Sequence, residues 1–136
     1  MDRVLQAYPD KVRLVVYHFP LNPVSFKAAE ASLCAGAQGK FWEFHALLFE
    51  RQPSWSLREN YLDYFRSYAQ TLGLDVQQFD RCLSSGEMRK AVERDRKAGE
   101  ALRVNATPTI FLNNVRVVGA RPFPFFDQTI KELLQQ

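Results

Sequence analysis

The sequence predicts an α/β fold, and three observations carry that prediction. A β-branched run, "KVRLVVYHF", stands alone near the N-terminus; the middle of the chain is patterned for helices; and two short apolar runs flanking Asn113 and Asn114 read as a hairpin ahead of a last helix. A strand cut off from the hairpin by a helical block cannot be joined to it through a tight turn. It calls for a crossover into a parallel or mixed sheet. The 136 residues amount to one domain, 1–136, long enough to bury roughly two-thirds of the unfolded surface.

The elements follow in order. "DRVLQAY" reads as the tail of a helix that Pro9 and Asp10 end, and Val12 to Phe19 has the length and composition of a strand. "FPLNP" interrupts regular structure, because each proline lacks an N–H and restricts the residue before it. From Ser25, "SFKAAEASLCAGAQ" is rich in alanine with helical spacing, closing at Gly36 or Gly39. "GKFWEFHALLFE" adds a short helix with Phe41, Phe44 and Leu48 on one face, and Pro53 with Ser54 marks a loop. Three further helices are expected: one ended by Gly73, one capped by Asp75 and ended by Gly86, and one over "EMRKAVERDRKAGEALRV". "TPTIFLNN" and "VRVVGA" form the hairpin, and "FDQTIKELLQQ" the closing helix.

Composition excludes several classes. With 46% hydrophobic and 24% charged residues and no window of about 18 apolar residues, no membrane span is expected. The net charge is +3, but the densest basic run is interleaved with Glu93, Asp95 and Glu100, the pattern of a solvated helix face and not of a nucleic-acid site. The N-terminal residues carry no apolar signal segment as written. Cys34 and Cys82 are too few for a disulfide scaffold and too far apart for a C-x-x-C pair, and with only His18 and His45 besides, neither metal nor cofactor is expected. His18 within the apolar run and His45 within an amphipathic helix read as structural.

The element order, with Thr107-Pro108 set directly before the first hairpin strand, resembles the thioredoxin fold. "VRLVVYHFPL", "AAEASLCAGAQGKFWEFHALLF", "LGLDVQQFDRCLSSG" and "ALRVNATPTIFLNNVRVVGARPFPFF" together resemble the DsbA-like thiol:disulfide oxidoreductases, whose thioredoxin core carries a helical insertion, here at about 25–103. The resemblance implies a cis Thr107–Pro108 bond, although only about 5% of X-Pro bonds in folded proteins are cis. It also implies that Ala106 and Thr107 offer their backbone to an extended polypeptide substrate, as in strand addition, beside a proline with no competing N–H. Phe123 and Phe125 of "RPFPFF" are candidates to line a peptide groove, the alternative being a hydrophobic staple into the last helix. For Cys34 and Cys82 two readings stay open: buried free thiols, or the second, structural disulfide found in some members of the family.

The family's redox-active C-x-x-C lies upstream of the segment matching "VRLVVYHF", at the start of a helix whose N-terminus lowers the thiol pKa. Met1 to Lys11 contain no cysteine, so this chain, with no catalytic residue of its own to name, is not expected to oxidise dithiols. The core strand that precedes that motif is missing too, which reads as N-terminal truncation of the fold. Three ways of filling the gap are open: sequence upstream of Met1, a strand exchanged within a homodimer, or a rearranged sheet. The family function implied is thiol-disulfide exchange, which points to a periplasmic or other extracytoplasmic location. The alternatives are a redox-dead peptide- or partner-binding module and a glutathione-linked isomerase or transferase.

Overall fold

The computed structural model describes all 136 residues, and they fall into two compact units: His18–Ala98, and Met1–Tyr17 with Gly99–Gln136. The helical unit, His18–Ala98, overlaps the stretch of about 25–103 that the sequence marks as helical.

In the helical unit, α1 being the N-terminal helix described below, α2 spans Pro23–Gly36. It starts two residues before Ser25 because Asn22 caps it: the Asn22 side chain accepts the Ser25 amide at 2.8 Å, and Pro23 occupies the first turn, where its missing N–H costs nothing. Next come α3 (Phe41–Glu50), α5 (Tyr61–Thr71) and α6 (Val76–Ser85), with the start of α7 (Arg89–Ala101). Asp75 caps α6 by accepting the Gln78 amide at 3.1 Å, and Gly86 ends it at φ 70, a left-handed conformation that a side chain resists. One correction concerns Pro53 and Ser54. They lie in a single helical turn, α4 (Gln52–Trp55), which Trp55 anchors by donating its indole N–H to the Leu48 carbonyl at 3.0 Å.

Phe44, Phe65 and Phe79 are fully buried at the centre of this unit, with Trp55 edge-on to Phe65 at 5.3 Å and Phe44 close to Phe79 at 5.6 Å. Alanines 28, 31 and 35 give α2 a smooth face, so α3, α5 and α6 approach it closely. Cys34 and Cys82 are joined in a disulfide between α2 and α6, with a Cα–Cα distance of 5.8 Å.

In the other unit, α1 (Asp2–Ala7) and α8 (Phe123–Leu134) pack with a two-stranded antiparallel sheet, β1 (Thr109–Leu112) and β2 (Val115–Val118). The register pairs Thr109 with Val118 and Leu112 with Val115. Asn113 turns the hairpin at φ 54, in the left-handed region that asparagine tolerates better than most residues. Val4, Val117, Phe126 and Ile130 form its small core, and Tyr8, Val12, Ile110, Leu112 and Phe123 pack against it.

The expected strand at Val12 to Phe19 does not form, and neither does the parallel or mixed sheet it was to join. Its burial still alternates with period two, Leu14 and Val16 half-buried, Arg13, Val15 and Tyr17 exposed. Yet Arg13 to Tyr17 make no backbone hydrogen bond at all, and β1 pairs only with β2. The residues have strand character but no ladder, and a strand is defined by its ladder.

Candidate functional site

The Pro108 loop is held at both ends. On its N-terminal side α7 is closed by Arg103, at φ 57, and by the Val104 amide donating to Gly99 O at 2.9 Å. The Arg116 guanidinium, from β2, donates to the Leu102 and Arg103 carbonyls that the helix end leaves over. The same guanidinium lies 5.0 Å from the ring centre of Phe111, its cross-strand partner. On the C-terminal side, Pro108 O accepts the Gly119 amide at 2.8 Å, extending the hairpin by one more bond.

Between these anchors the backbone is free. The Thr107–Pro108 peptide is cis, and Ala106, Thr107 and Pro108 are all exposed. The Ala106 carbonyl accepts the Thr109 hydroxyl at 2.6 Å. The Ala106 N–H, and both the N–H and the carbonyl of Thr107, have no partner within the chain. Such a row can pair with an extended polypeptide.

The two phenylalanines separate. Phe123, the first residue of α8, is half-buried against the small core, with the Arg3 guanidinium 4.3 Å from its ring centre. Phe125 is 41% exposed, edge-on to Phe126 at 5.8 Å and 5.4 Å from the Arg121 guanidinium. Of the five residues, Ala106, Thr107 and Pro108 form one continuous patch, and Phe125 offers an aromatic surface at the start of α8. Arg116 was missed by sequence reasoning; its placement opposite Phe111 in the hairpin was the available signal.

The helical unit holds both histidines. The His18 amide donates to Asp95 Oδ2 at 2.9 Å, and its ring meets Phe41 edge-on at 6.0 Å. His45 stacks on Phe41 at 5.6 Å and lies 4.9 Å from the Phe49 ring. Burial lowers the pKa of His18; Asp95 opposes that and His45 adds to it. Burial alone lowers His45. Both cysteines are consumed in the disulfide, which leaves no free thiol in the chain. A surface depression of about 460 Å³ is lined by Lys90, Glu93, Arg94 and Lys97 of α7 and includes no residue of the Pro108 loop.

A family model described as "Thioredoxin" matches residues 1–132. The chain belongs to the thioredoxin family. A crystal structure titled as a thioredoxin-like oxidoreductase from Silicibacter pomeroyi DSS-3 superposes with a TM-score of 0.82 over 99% of this chain and 75% of that one, at 24% identity, which establishes the thioredoxin-like fold with its helical insertion. Among curated proteins, the chain is 39% identical over 126 residues to the Na(+)/H(+) antiporter NhaA 1 of Mycolicibacterium vanbaalenii, covering 88% of this chain and 19% of that protein. It is 38% identical over 119 residues to the Na(+)/H(+) antiporter NhaA of Herminiimonas arsenicoxydans, covering 88% and 18%. The chain therefore spans less than a fifth of the curated relatives it matches. No helix is long and apolar enough to cross a membrane.

Proposed function

We propose that this chain is a DsbA-like polypeptide-binding module of the thiol-disulfide-exchange class, which takes an extended substrate strand along Ala106–Pro108 and, without a C-x-x-C of its own, does not itself oxidise dithiols. The observation that carries the reading is the unpaired backbone of Ala106 and Thr107 beside a proline, exposed and clamped at both ends. A polypeptide added there satisfies three polar groups that otherwise face water, and the proline ring contributes no donor to compete. In the antiporters the matching segment makes up 18–19% of the length, so a segment of this kind occurs there as one module of a longer protein.

An unstructured decapeptide of alternating valine and threonine tests the reading. Backbone resonances of Ala106 and Thr107 are expected to shift on titration at millimolar peptide, with little change in the helical unit. Thr107→Pro, which removes one donor of the row, weakens the effect roughly five- to thirteenfold if that N–H contributes one net hydrogen bond of about 1–1.5 kcal/mol. Absence of any shift in the loop at millimolar peptide overturns the proposal.

A further inference from the structure

Ala101 to Phe126, the stretch that carries the Pro108 loop, the hairpin and the start of α8, contains Arg103, Arg116 and Arg121 and no aspartate or glutamate. Glu100 and Asp127 bound it, and Asp127 is already engaged by Lys131 at 2.8 Å. None of the three guanidinium groups meets a carboxylate. Arg116 spends its two terminal nitrogens on the Leu102 and Arg103 carbonyls, whereas Arg103 and Arg121 are exposed.

Those two arginines flank the unpaired backbone. Arg103 precedes Ala106 by three residues. Arg121 follows Gly119 by two, and the Gly119 amide is bonded to the Pro108 carbonyl at 2.8 Å. The Arg121 guanidinium lies 5.4 Å from the ring centre of Phe125. An aromatic face restrains a guanidinium and leaves its N–H edge free to take a carboxylate in a bidentate pair.

We infer that the polypeptide taken by the Ala106–Pro108 row is acidic, with a carboxylate on each side of its paired residues, one for Arg103 and one for Arg121. The preference rests on the strand addition proposed above. Backbone pairing accepts any extended chain, and the two arginines choose among chains that offer the same backbone. A basic segment meets like charge at both ends of the row, which lowers its affinity. A phosphodiester chain satisfies the arginines but has no backbone N–H for the Thr107 carbonyl, so the unpaired row favours a polypeptide. Arg116 adds a third positive charge to the field that draws such a chain in.

Three end-capped decapeptides separate the charge preference from strand addition itself: the alternating valine–threonine chain, the same chain with two glutamates at each end, and the same chain with two lysines at each end. The Ala106 and Thr107 resonances report a dissociation constant for each. Two exposed ion pairs of ordinary strength make the acidic peptide bind about two- to thirtyfold tighter than the neutral one at about 10 mM salt, with the lysine peptide weakest. The order is expected to collapse at about 1 M salt, where the screening length is about 3 Å. Arg103→Glu/Arg121→Glu is expected to reverse it, far-UV circular dichroism unchanged from the parent showing that the fold survives; should that variant unfold, the salt dependence of the parent decides. A ratio below about two between acidic and neutral peptides at low salt, or an unchanged order in the folded variant, overturns the inference and leaves strand addition standing. No loop shift with any of the three removes both. A thymidine oligonucleotide of the acidic peptide's charge that binds as tightly overturns the assignment to a polypeptide.

Discussion

The disulfide between Cys34 and Cys82 permits the sharpest stability test. Its two cysteines are 48 residues apart in sequence, so the bond removes a long loop from the unfolded ensemble. On the chain-entropy relation that restriction is worth about 4 kcal/mol at 25 °C. For a chain of 136 residues unfolding with about 2.1 cal/mol/K per residue, each kcal/mol moves Tm by about 3.5 °C. The predicted loss on removing the bond is therefore about 14 °C, an upper figure. Both sulfurs are buried, Cys34 and Cys82 lying in the core of the helical unit, so the reductant must act on unfolded protein before refolding. Calorimetry then compares the oxidised protein, the reduced and refolded protein, and the Cys34→Ala/Cys82→Ala double variant. Alanine leaves two small voids, so the variant is expected to fall somewhat further than the reduced form. A change below about 3 °C in both refutes the argument that the bond constrains the unfolded chain. So does complete alkylation of the two cysteines without reductant.

Three further outcomes follow from the helical unit. His18 and His45 have lowered pKa values in the fold, burial being the first cause for each; below about pH 6.5 the unfolded state binds more protons than the folded one, so the urea midpoint is constant above that pH and declines as the pH falls. A midpoint that rises between pH 7.5 and 5.5 in the parent, or a decline of the same size in a His18→Gln/His45→Gln variant, contradicts it. Phe65→Ala empties the centre of the aromatic cluster, where Phe65 is fully buried between Trp55 and Phe44, and is expected to cost about 3–5 kcal/mol by chemical denaturation. Glu30 is buried on α2 with neither oxygen accepting a hydrogen bond, its carboxylate 3.2 Å from Lys27 Nζ. Glu30→Met, which keeps the volume and removes the desolvated charge, is expected to leave stability unchanged or raise it by about 1–3 kcal/mol, and a loss above about 1 kcal/mol in the denaturant midpoint counts against it.

Most of the helical unit was legible because its signals are local. Asp75 and Gly86 bracket α6 by a side-chain cap and a left-handed turn, features that a dozen residues suffice to encode. The hairpin was legible for the same reason, with Asn113 carrying the turn. The α4 turn was not, because the Trp55 indole and the Leu48 carbonyl that fix it meet only after α3 has formed. Val12 to Phe19 failed differently. Its composition sets the alternation of its side chains, but a ladder needs a second strand, and composition says nothing of where one comes from. At the candidate site the exposed Ala106–Pro108 backbone was legible through resemblance, whereas Phe123 and Phe125, two residues apart, could not be sorted by sequence. Their difference depends on which ring packs with Val4, Val117 and Ile130, residues distant in the chain.

The two units differ in what holds them, and that difference has a consequence for binding. The helical unit has thirteen buried residues in one cluster and a disulfide across it, whereas the unit bearing the Pro108 loop has four. At roughly 1.5–3 kcal/mol per buried large apolar side chain, the smaller core lies near the limit of stability. Its amides are therefore expected to exchange with solvent through a lower-energy opening than those of α2 and α6. A polypeptide that pairs with Ala106 and Thr107 binds only the folded form of that unit, and must stabilise it by mass action, about 2.7 kcal/mol at a hundredfold excess over the dissociation constant. Hydrogen exchange read residue by residue should then show protection rising together across β1, β2 and α8, with α2 and α6 unchanged. Protection confined to the loop would mean that the peptide touches the surface without drawing on the cooperativity of the unit. Equal protection in both units would mean that they open as one body, and the argument from unequal cores would fail.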